Sequence, residues 1–358
     1  VKENKTSRWG IEIGIKSAKL ISLSEVPLPI DNSDKSQTNI DKRLDFRFLD
    51  TRNIKTQSIF KIRGKITKAC VNFLDENGFT NIHTPKITTL GVESGAELFK
   101  VDYFGKPIFL SQSPQIYKQM FVAGGFERVY EIAPVFRAEK SHTTRHLTEF
   151  TGVDFEMAFI KDETTIMDFI EKMFTNLLTK LKEESTEELK TLGVEPIIPG
   201  KIPRLTMKEA KELLKEKGKS YPDDEDLDAE GEMLLGGIIK EKYGSEFVFL
   251  TEFPWAVRPF YHMKNENGDT KSFDLLFNGV EICTGAQREH RYDILCEQAK
   301  NKGLDMEEMQ KYGEIFRYGC PPHGGVGFGL DRITQRFLGL VNVREAVLLP
   351  RDPERMDP

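Results

Sequence analysis

Two long runs with the alternation of β-strands, residues 126–139 and 148–160, are separated by a short polar and basic segment. A connection this short joins antiparallel neighbours, because parallel strands need a crossover of about a dozen residues or more. Residues 271–277 and 279–287 repeat the arrangement around an Asn-Gly turn, and helical segments are interspersed without βαβ alternation. The sequence therefore predicts an α+β fold, a largely antiparallel sheet flanked by helices.

The chain divides into three parts by composition. Residues 1–30 read as two short strands and an extended connector, and two strands cannot bury a core, so we expect the end of a β domain there. Residues 31–43 begin with a polar, turn-rich run and predict a linker, and 44–358 form the main domain. Within it, residues from about 161 to 260 predict a mainly helical insertion.

Local patterns predict the elements that surround the strand pairs. An apolar stripe at helical spacing predicts a helix between Leu44 and Asn77 that stops at Gly78. Residues 80–89 predict a strand closed by Pro85, and a short helix follows Ser113, which we expect to cap it. Residues 97–112 predict a hairpin. Helices are predicted at residues 162–184, 207–217, 225–242, 291–300 and 305–311.

Charge and cysteine usage exclude several classes of protein. The 51 Lys and Arg against 57 Asp and Glu give a net charge of −6, which excludes a globally basic nucleic-acid coat but not a local basic patch. The four cysteines lack CxxC spacing, which argues against a disulfide scaffold or a cysteine zinc site and predicts a reducing compartment. No apolar run approaches the roughly 18 residues of a membrane span, so we expect a cytoplasmic protein without a membrane partner.

The common nucleotide and hydrolase signatures fail. The only Gly-Lys-Ser run begins at Gly218, and a Walker A motif there would need a glycine where Leu213 stands. A GxGxxG pattern beginning at Gly325 would need a glycine where Leu330 stands. HExxH and GxSxG are absent as well. Rossmann, P-loop, zincin and α/β-hydrolase assignments are therefore disfavoured.

Arginines and an aromatic residue around the first strand pair form a candidate anion site. Arg137 at a strand end could hold a phosphate through two parallel hydrogen bonds, and Phe150 could stack on a base. The same charges would also suit an ordinary solvated hairpin tip.

Two further segments carry candidate chemistry. Asp274 and Glu281 flank the Asn-Gly turn and could bind Mg²⁺ carrying phosphates, or could simply face solvent. The glycine-rich residues 323–329 run into a helix that carries Arg332, and glycine there permits either close approach by a flat ligand or tight sheet–helix packing.

Together these segments resemble the three signature motifs of class II aminoacyl-tRNA synthetases. The finer pattern is similar to the aspartate-specific enzymes of the archaeal and eukaryotic-cytosolic type. The blocks that carry the resemblance are GVESGAELF (91–99), QSPQIYKQM (112–120), FRAEKSHTTRHLTEFTGVDFEM (136–157), GVEICTGAQR (279–288), GCPPHGGVGFGLDR (319–332) and PRDPERMDP (350–358).

The resemblance implies a fold, a reaction and partners. It implies a class II catalytic domain, a homodimer formed partly through the Pro85 strand, and an N-terminal OB-fold that binds the anticodon, of which residues 1–30 would be the end. The reaction would convert L-aspartate and ATP to aspartyl-adenylate and pyrophosphate, with Mg²⁺ as cofactor, and then transfer the aspartyl group to the 3′ end of tRNA(Asp).

The resemblance also assigns roles to residues. The catalytic set would be Arg137, Glu281 and Arg332, and Asp154 would meet the substrate ammonium. The aspartate-binding set would be Glu93, Gln115, Lys118, Arg137, Thr284 and Arg288. The ATP-binding set would be Arg137, Ala138, Glu139, Arg145, His146, Leu147, Phe150, Glu281, Gly329, Leu330, Asp331 and Arg332. The metal set would be Asp274, Glu281 and Thr284.

Two departures and three alternatives accompany this assignment. Thr284 stands where the family usually has serine, and GVESGAE departs from the commoner SEGG pattern. An asparaginyl-tRNA synthetase or an asparagine synthetase relative would share the fold, although the asparagine enzyme usually lacks both Lys118 and the PRDPxR ending. A silent paralogue would have lost a motif arginine or a metal carboxylate, and none is lost here.

Overall fold

The computed structural model describes residues 1–7, 10–33, 37–89, 97–140, 143–304 and 310–357. Their helices are α1 (Ile40–Asp45), α2 (Arg47–Asp50), α3 (Ile54–Glu76), α4 (Gln115–Ala123), α5 (Glu163–Glu184), α6 (Thr186–Leu192), α7 (Met207–Glu216), α8 (Ala229–Tyr243), α9 (Tyr292–Asn301), α10 (Gln310–Arg317) and α11 (Leu330–Phe337), with short 3₁₀ turns at Trp255–Val257 and Val343–Ala346.

The strands are β1 (Lys2–Glu3), β2 (Ile11–Glu12), β3 (Thr80–Asn81), β4 (Ile87–Thr88), β5 (Lys100–Tyr103), β6 (Lys106–Leu110), β7 (Arg128–Phe136), β8 (Glu149–Ala158), β9 (Arg204–Thr206), β10 (Phe247–Thr251), β11 (Ser272–Phe277), β12 (Val280–Gln287) and β13 (His323–Gly329).

Eight of these strands form one sheet in the order β3-β7-β8-β13-β12-β11-β10-β9. The outer strands β3 and β9 run parallel to their neighbours, and every other pairing in this sheet is antiparallel. The predicted α+β class, an antiparallel sheet flanked by helices, is therefore confirmed.

One face of the sheet is apolar and packs on helices. Phe155 of β8 and Phe328 of β13 are buried on this face, and the aromatic ring of Phe174 from α5 packs against Phe328 with the centroids 5.6 Å apart. Helix α3 covers the same face through its apolar stripe, including Ile62 and Ile66. Because side chains alternate along a strand, the opposite face is left for other chemistry.

Helix α3 begins and ends as its sequence predicts. Asn53 caps it by accepting a hydrogen bond from the backbone N–H of Lys55 at 2.8 Å, and Gly78, with φ +77°, lies just beyond its end. The predicted helix from Leu44 is broken, however, because the chain turns at Phe46 and again at residues 51–53, which separates α1, α2 and α3.

The segment from about 161 to 260 is mainly helical, as expected, and its two strands extend the sheet. Helix α5 packs in the main core, and β9 and β10 form the sheet edge. Helices α7 and α8 pack with these strands around a second apolar cluster, and Thr206 and Glu209 form a reciprocal capping box at the start of α7. The division of the chain into domains stays a prediction.

One further local expectation is corrected. Residues 80–89 form two separate strands in different sheets, β3 and β4: the chain bends at Lys86, and the backbone N–H of Thr84 binds Glu131 Oε1 at 2.7 Å. The short strands predicted at the N-terminus are β1 and β2, of two residues each, and the connecting residues 13–30 that follow have no regular structure. The helix predicted at 305–311 lies mostly outside the described residues.

Candidate active site

A cleft of about 380 Å³ opens on the polar face of the sheet, between the strands and the segments that follow β7 and β10. It has a charged end at Arg288 and a second charged end at Arg145 and Arg332. Most of the predicted site residues line it: Gln115, Arg137, Glu139, Arg145, His146, Leu147, Phe150, Asp154, Glu281, Thr284, Arg288, Gly329, Asp331 and Arg332.

A row of residues in register forms the floor of the cleft. Asp154 of β8 lies opposite Gly327 of β13, which lies opposite Thr284 of β12, which lies opposite Asp274 of β11. A Cβ atom at Gly327 would be 2.9 Å from Asp154 Oδ1, so glycine leaves this row open for a ligand and for the carboxylate.

Three glycines of the glycine-rich strand are tightly packed, and the approach of a flat ligand stays a prediction. Gly325 and Gly327 face the polar side, where a Cβ would collide with the carbonyl of Phe155 and with Asp154 respectively. Gly324 faces the core, where a Cβ would be 2.5 Å from the Cδ1 atom of Ile166. Tight packing on the two faces of the sheet therefore uses alternate residues of β13.

Arg288 is the buried cation at the amino-acid end. Its Nε donates to Glu156 Oε1 at 2.9 Å, and its Nη2 donates to Gln115 Oε1 and to the carbonyl of Gly325, both at 3.1 Å. Its Nη1 lies 3.0 Å from His262 Nε2. Such a network fixes the planar guanidinium at the floor of the cleft.

Lys118 is completely buried beneath the same end and is not among the lining residues. Its Nζ donates to Asp154 Oδ1 at 3.0 Å and to the carbonyl of Val326 at 3.2 Å, and it lies 3.6 Å from Glu156 Oε2. In this structure Lys118 therefore reaches the cleft through Asp154, and its direct contact with an amino acid stays a prediction.

Glu156 balances these cations and was not predicted as a site residue. It is buried completely, which by itself would raise its pKa, but Arg288, Lys118 and His323 hold the pKa below its ordinary value. Burial lowers the pKa of His262 well below 6.5, and the charge of Arg288 adds to that effect, so the imidazole is neutral.

A β-bulge arranges the candidate metal residues. Leu276 pairs with Glu281, but Leu275 pairs with Cys283, so the strand β12 carries one extra residue. Without the bulge Asp274 would lie opposite Cys283; with it, Asp274 lies opposite Thr284, and Cys283 turns into the core. The Thr284 hydroxyl then donates to Glu281 Oε1 at 3.3 Å.

These residues fit a hard cation. Asp274 is buried, its Oδ2 accepts from Arg258 Nη2 at 2.6 Å, and its Oδ1 has no hydrogen-bond partner. Burial raises the pKa of Asp274 to about 7, opposed by Arg258 and reinforced by the charge of Glu281. A divalent cation would satisfy the orphan oxygen and relieve the repulsion between the two carboxylates. The solvent-facing alternative is wrong for Asp274.

The opposite wall carries the candidate purine and α-phosphate residues. The guanidinium of Arg137 lies 5.3 Å from the centroid of the Phe150 ring and 4.0 Å from Glu139. The Arg137 Nε atom is buried without a hydrogen-bond partner. A donor of this kind beside an aromatic ring suits an anion attached to a flat base.

The distal end gathers Arg145, His146 and Arg332. Arg332 Nη1 lies 3.5 Å from Glu281 Oε2, and its Nε donates to the carbonyl of Arg145 at 3.3 Å. Arg145 Nη1 donates to Glu232 Oε2 of α8 at 2.7 Å. Burial lowers the pKa of His146, and the cations Arg332 and Arg145 lower it further.

Several predicted residues take supporting positions. Asp331 lines the cleft but binds Arg63 of α3 at 2.7 Å and the backbone N–H of Thr151 at 3.0 Å. Ala138, Leu330 and Asp274 are not among the lining residues, and Asp274 lies beside Thr284 on the neighbouring strand. Glu93 falls outside the described residues.

Sequence reasoning missed four residues of the site: Glu156, Glu232, Arg258 and His262. Glu156 could have been found, because it follows Asp154 at the same-face spacing of a strand. Glu232 and Arg258 lie in the middle segment and His262 just after it, and an arginine before a proline or a glutamate in a helix carries no local signal of a site.

Comparisons with known proteins agree with this geometry. Residues 39–353 match the sequence profile of the class II tRNA synthetases of the D, K and N type. The chain is 45% identical over 357 residues to an aspartate–tRNA(Asp) ligase of Thermococcus kodakarensis, covering 98% of this chain and 81% of that protein. It is 44% identical to an aspartate–tRNA(Asp/Asn) ligase of Thermus thermophilus, covering 100% of this chain and 85% of the relative.

Solved structures share the fold. An aspartyl-tRNA synthetase from Entamoeba histolytica is 36% identical with a TM-score of 0.83, covering 94% of this chain and 72% of that one. An asparaginyl-tRNA synthetase from Pyrococcus horikoshii, complexed with asparaginyl-adenylate, is 31% identical with a TM-score of 0.90, covering 98% and 80%. The profile match and the identities over nearly the whole chain place it, as its motifs predicted, in the class II tRNA synthetases, among the aspartate–tRNA ligases.

Proposed function

We propose that this protein activates L-aspartate with ATP and transfers the aspartyl group to tRNA(Asp). The observation that carries the proposal is the distribution of charge in one cleft, with the buried Arg288 at one end and Arg137, Arg145 and Arg332 toward the other. Such a cleft suits a substrate side-chain carboxylate at one end and a polyphosphate at the other. The aspartate–tRNA ligases at 44–45% identity support the same conclusion.

The first step needs no general base. The α-carboxylate of aspartate is already ionised at neutral pH, and one of its oxygens attacks the α-phosphorus of ATP. A P–O bond forms there as the bond to pyrophosphate breaks, giving aspartyl-adenylate. Arg137 would neutralise charge on the α-phosphate, and Arg145 and Arg332 would hold the distal phosphates. Phe150 would stack on the adenine.

The second step transfers the acyl group. A ribose hydroxyl at the 3′ end of tRNA(Asp) attacks the aspartyl carbonyl carbon, AMP leaves, and the hydroxyl proton is lost. The residues of this chain would again act by positioning, with Arg137 close to the departing phosphate.

Selection of the amino acid rests on Arg288. Asparagine has nearly the same size as aspartate but lacks the side-chain charge, so binding it would leave buried cations short of a partner. Sites built on such polar pairing reject the mismatched substrate by as much as about 10⁴–10⁵-fold. Gln115 and Thr284 would complete the pocket, and Asp154 would receive the substrate ammonium.

Asparagine is the second candidate substrate, because an asparaginyl-tRNA synthetase gives a TM-score of 0.90 with this chain. Pyrophosphate exchange into ATP, measured with aspartate or asparagine alone, separates the two. We expect exchange with aspartate only, and Arg137→Ala or Arg332→Ala should abolish it. Exchange with asparagine alone, or wild-type exchange in either variant, would overturn the assignment.

Magnesium is proposed as the cofactor, held by Asp274, Glu281 and Thr284. When bound, it would neutralise phosphate charge during the reaction. The bulge in β12 brings Thr284 opposite Asp274 and within hydrogen-bond distance of Glu281, which supports the proposal. Mn²⁺ binding followed by electron paramagnetic resonance tests the site without turnover: Glu281→Gln should weaken binding, and unchanged binding would contradict the assignment.

We further propose a cytoplasmic homodimer formed partly through the Pro85 segment. Its four cysteines are free, and Ile87 in this segment is about half exposed. None of the helices in the described ranges is long and apolar enough to cross a membrane. Sedimentation of the wild type and of Ile87→Asp tests the dimer: we expect the charge to weaken association, and a monomeric wild type would refute the proposal.

A further inference from the structure

Glu232 is a carboxylate at an end of the cleft that we assign to a polyanion. It lies in the first turn of α8, and its Oε2 accepts a hydrogen bond from Arg145 Nη1 at 2.7 Å. Its side chain is 18% exposed, so the pair is shielded from solvent on most sides. A carboxylate here repels phosphate directly, so it can favour phosphate binding only by acting on a neighbouring cation.

Helix α8 gives Glu232 a fixed position relative to the metal hairpin. A Cβ at Gly236 would be 2.5 Å from the backbone nitrogen of Gly279, and a Cβ at Gly279 would be 2.8 Å from the carbonyl of Glu232. The helix backbone therefore rests directly on the turn that joins β11 to β12. Asp228 caps the same end by accepting from the N–H of Gly231 at 2.7 Å.

The segment that carries Arg145 is held from the other side by its backbone. The carbonyl of Thr144 accepts from the N–H of Val343 at 2.9 Å and from Gln335 Nε2 at 3.2 Å, and the carbonyl of Arg145 accepts from Arg332. These contacts fix the main chain but leave the long side chain free to rotate. The contact with Glu232 is what orients the guanidinium.

The local charges agree with this arrangement. Burial raises the pKa of Glu232, and the charge of Glu281 raises it further, whereas Arg145 and Arg332 act in the opposite sense. The pKa of Glu232 is raised overall, and its hydrogen bond to Arg145 is the contact that favours the charged carboxylate.

We propose that Glu232 is a positioning residue for ATP: it holds Arg145 so that the remaining guanidinium N–H groups point at the distal phosphates. This rests on the proposed function, because the role of Arg145 toward ATP is part of it. Glu232 itself touches neither substrate.

The test measures binding of Mg·ATP to the full chain by isothermal titration calorimetry, without amino acid. We expect Glu232→Gln to weaken binding roughly tenfold, since a charged hydrogen bond to Arg145 becomes a neutral one. Glu232→Asp keeps the charge but shortens the side chain, and we expect a smaller loss. Glu241→Gln, on the same helix and largely exposed, is the matched control and should bind as the wild type does.

A double-mutant cycle with Arg145→Ala distinguishes positioning from other roles. If Glu232 acts through Arg145, then Glu232→Gln should have no further effect once Arg145 is removed. If the losses of ATP affinity from Glu232→Gln and Arg145→Ala are additive, the proposal is overturned. Glu232 would then act independently of Arg145, as a metal ligand would. Tighter ATP binding in Glu232→Gln would also overturn it, because the carboxylate would then be competing with phosphate for Arg145.

Turnover provides the second readout. In aspartate-dependent exchange we expect Glu232→Gln to raise the KM for ATP and to leave the KM for aspartate unchanged, whereas a general structural defect would move both. A wild type that binds ATP but shows no aspartate-dependent exchange would refute the proposed function while the calorimetric cycle still decides the role of Glu232.

Discussion

Replacing Gly236 by alanine should displace helix α8, whereas the same change at Gly237 should strengthen it. The two glycines are neighbours in one helix, so the substitution removes the same backbone freedom at both positions. At Gly237 an added Cβ meets no atom within 4 Å. At Gly236 it would lie 2.5 Å from the nitrogen and 2.6 Å from the Cα of Gly279.

The expected magnitudes follow from these distances. Glycine to alanine in a helix interior is favourable by about 1 kcal/mol, and Gly237→Ala should increase the free energy of unfolding by that amount. At Gly236 the contact of 2.5 Å is about 1–1.5 Å shorter than the optimum of about 3.5–4.0 Å, and its partner is backbone, which cannot rotate away. Overpacking costs about 1–3 kcal/mol, so the two variants should differ by that amount in favour of Gly237→Ala.

Urea unfolding of the two variants and the wild type measures the difference, and helix propensity cancels between them. The displacement should also move Glu232 away from Arg145, so Gly236→Ala should raise the KM for ATP in the exchange assay while Gly237→Ala leaves it unchanged. Equal stability of the two variants would refute the packing argument, and a normal KM in a destabilised Gly236→Ala would refute the link to Arg145.

Three further predictions test other parts of the site. Arg288→Lys should raise the KM for aspartate by about 100-fold with little change in the KM for ATP, because lysine cannot reproduce the fork of hydrogen bonds; equal effects on both constants would contradict this. Glu156→Gln should lower stability by about 3–5 kcal/mol at pH 7. Because the pKa of Glu156 is lowered on folding, this difference should be present above about pH 4.5 and shrink as the pH falls further, and a constant difference in unfolding titrations at several pH values would refute it. Burial raises the pKa of the Cys70 thiol to about 12, so iodoacetamide at pH 8 should label Cys70 only after unfolding, as peptide mass spectrometry would show; rapid labelling of the native protein would contradict it.

The sequence was sufficient to predict the antiparallel strand pairs and most of the residues that line the cleft. Strand pairs joined by short connections predicted antiparallel neighbours, and β7 with β8 and β11 with β12 pair in that way. These contacts are local in the chain, so alternation and turn residues determine them. The order in which distant strands join, such as β8 beside β13, depends on burying the apolar side of each strand against the helices. No local sequence pattern predicts that order.

Residue positions were predictable where a single strand sets them and unpredictable where two elements meet. The bulge in β12 decides whether Thr284 or Cys283 lies opposite Asp274, and an Asn-Gly turn alone implies the wrong partner. Arg258 binds Asp274 from a segment with a short 3₁₀ turn, and Glu232 reaches Arg145 from a helix 87 residues away in the chain. Only the folded arrangement creates these pairs.

The amino-acid end of the cleft is neutral as it stands, and this bears on how it would select a substrate. Lys118 and Arg288 are balanced by Asp154 and Glu156, with distances of 2.9–3.6 Å between the paired atoms. An incoming ammonium can pair with Asp154 only if Lys118 gains another anion, and the side-chain carboxylate of aspartate would supply that charge. Asparagine brings the ammonium without the second carboxylate, so the same rearrangement would leave a buried cation underpaired. On the proposed function, selectivity for aspartate would then arise from the exchange of partners within this group of four residues as much as from any single contact.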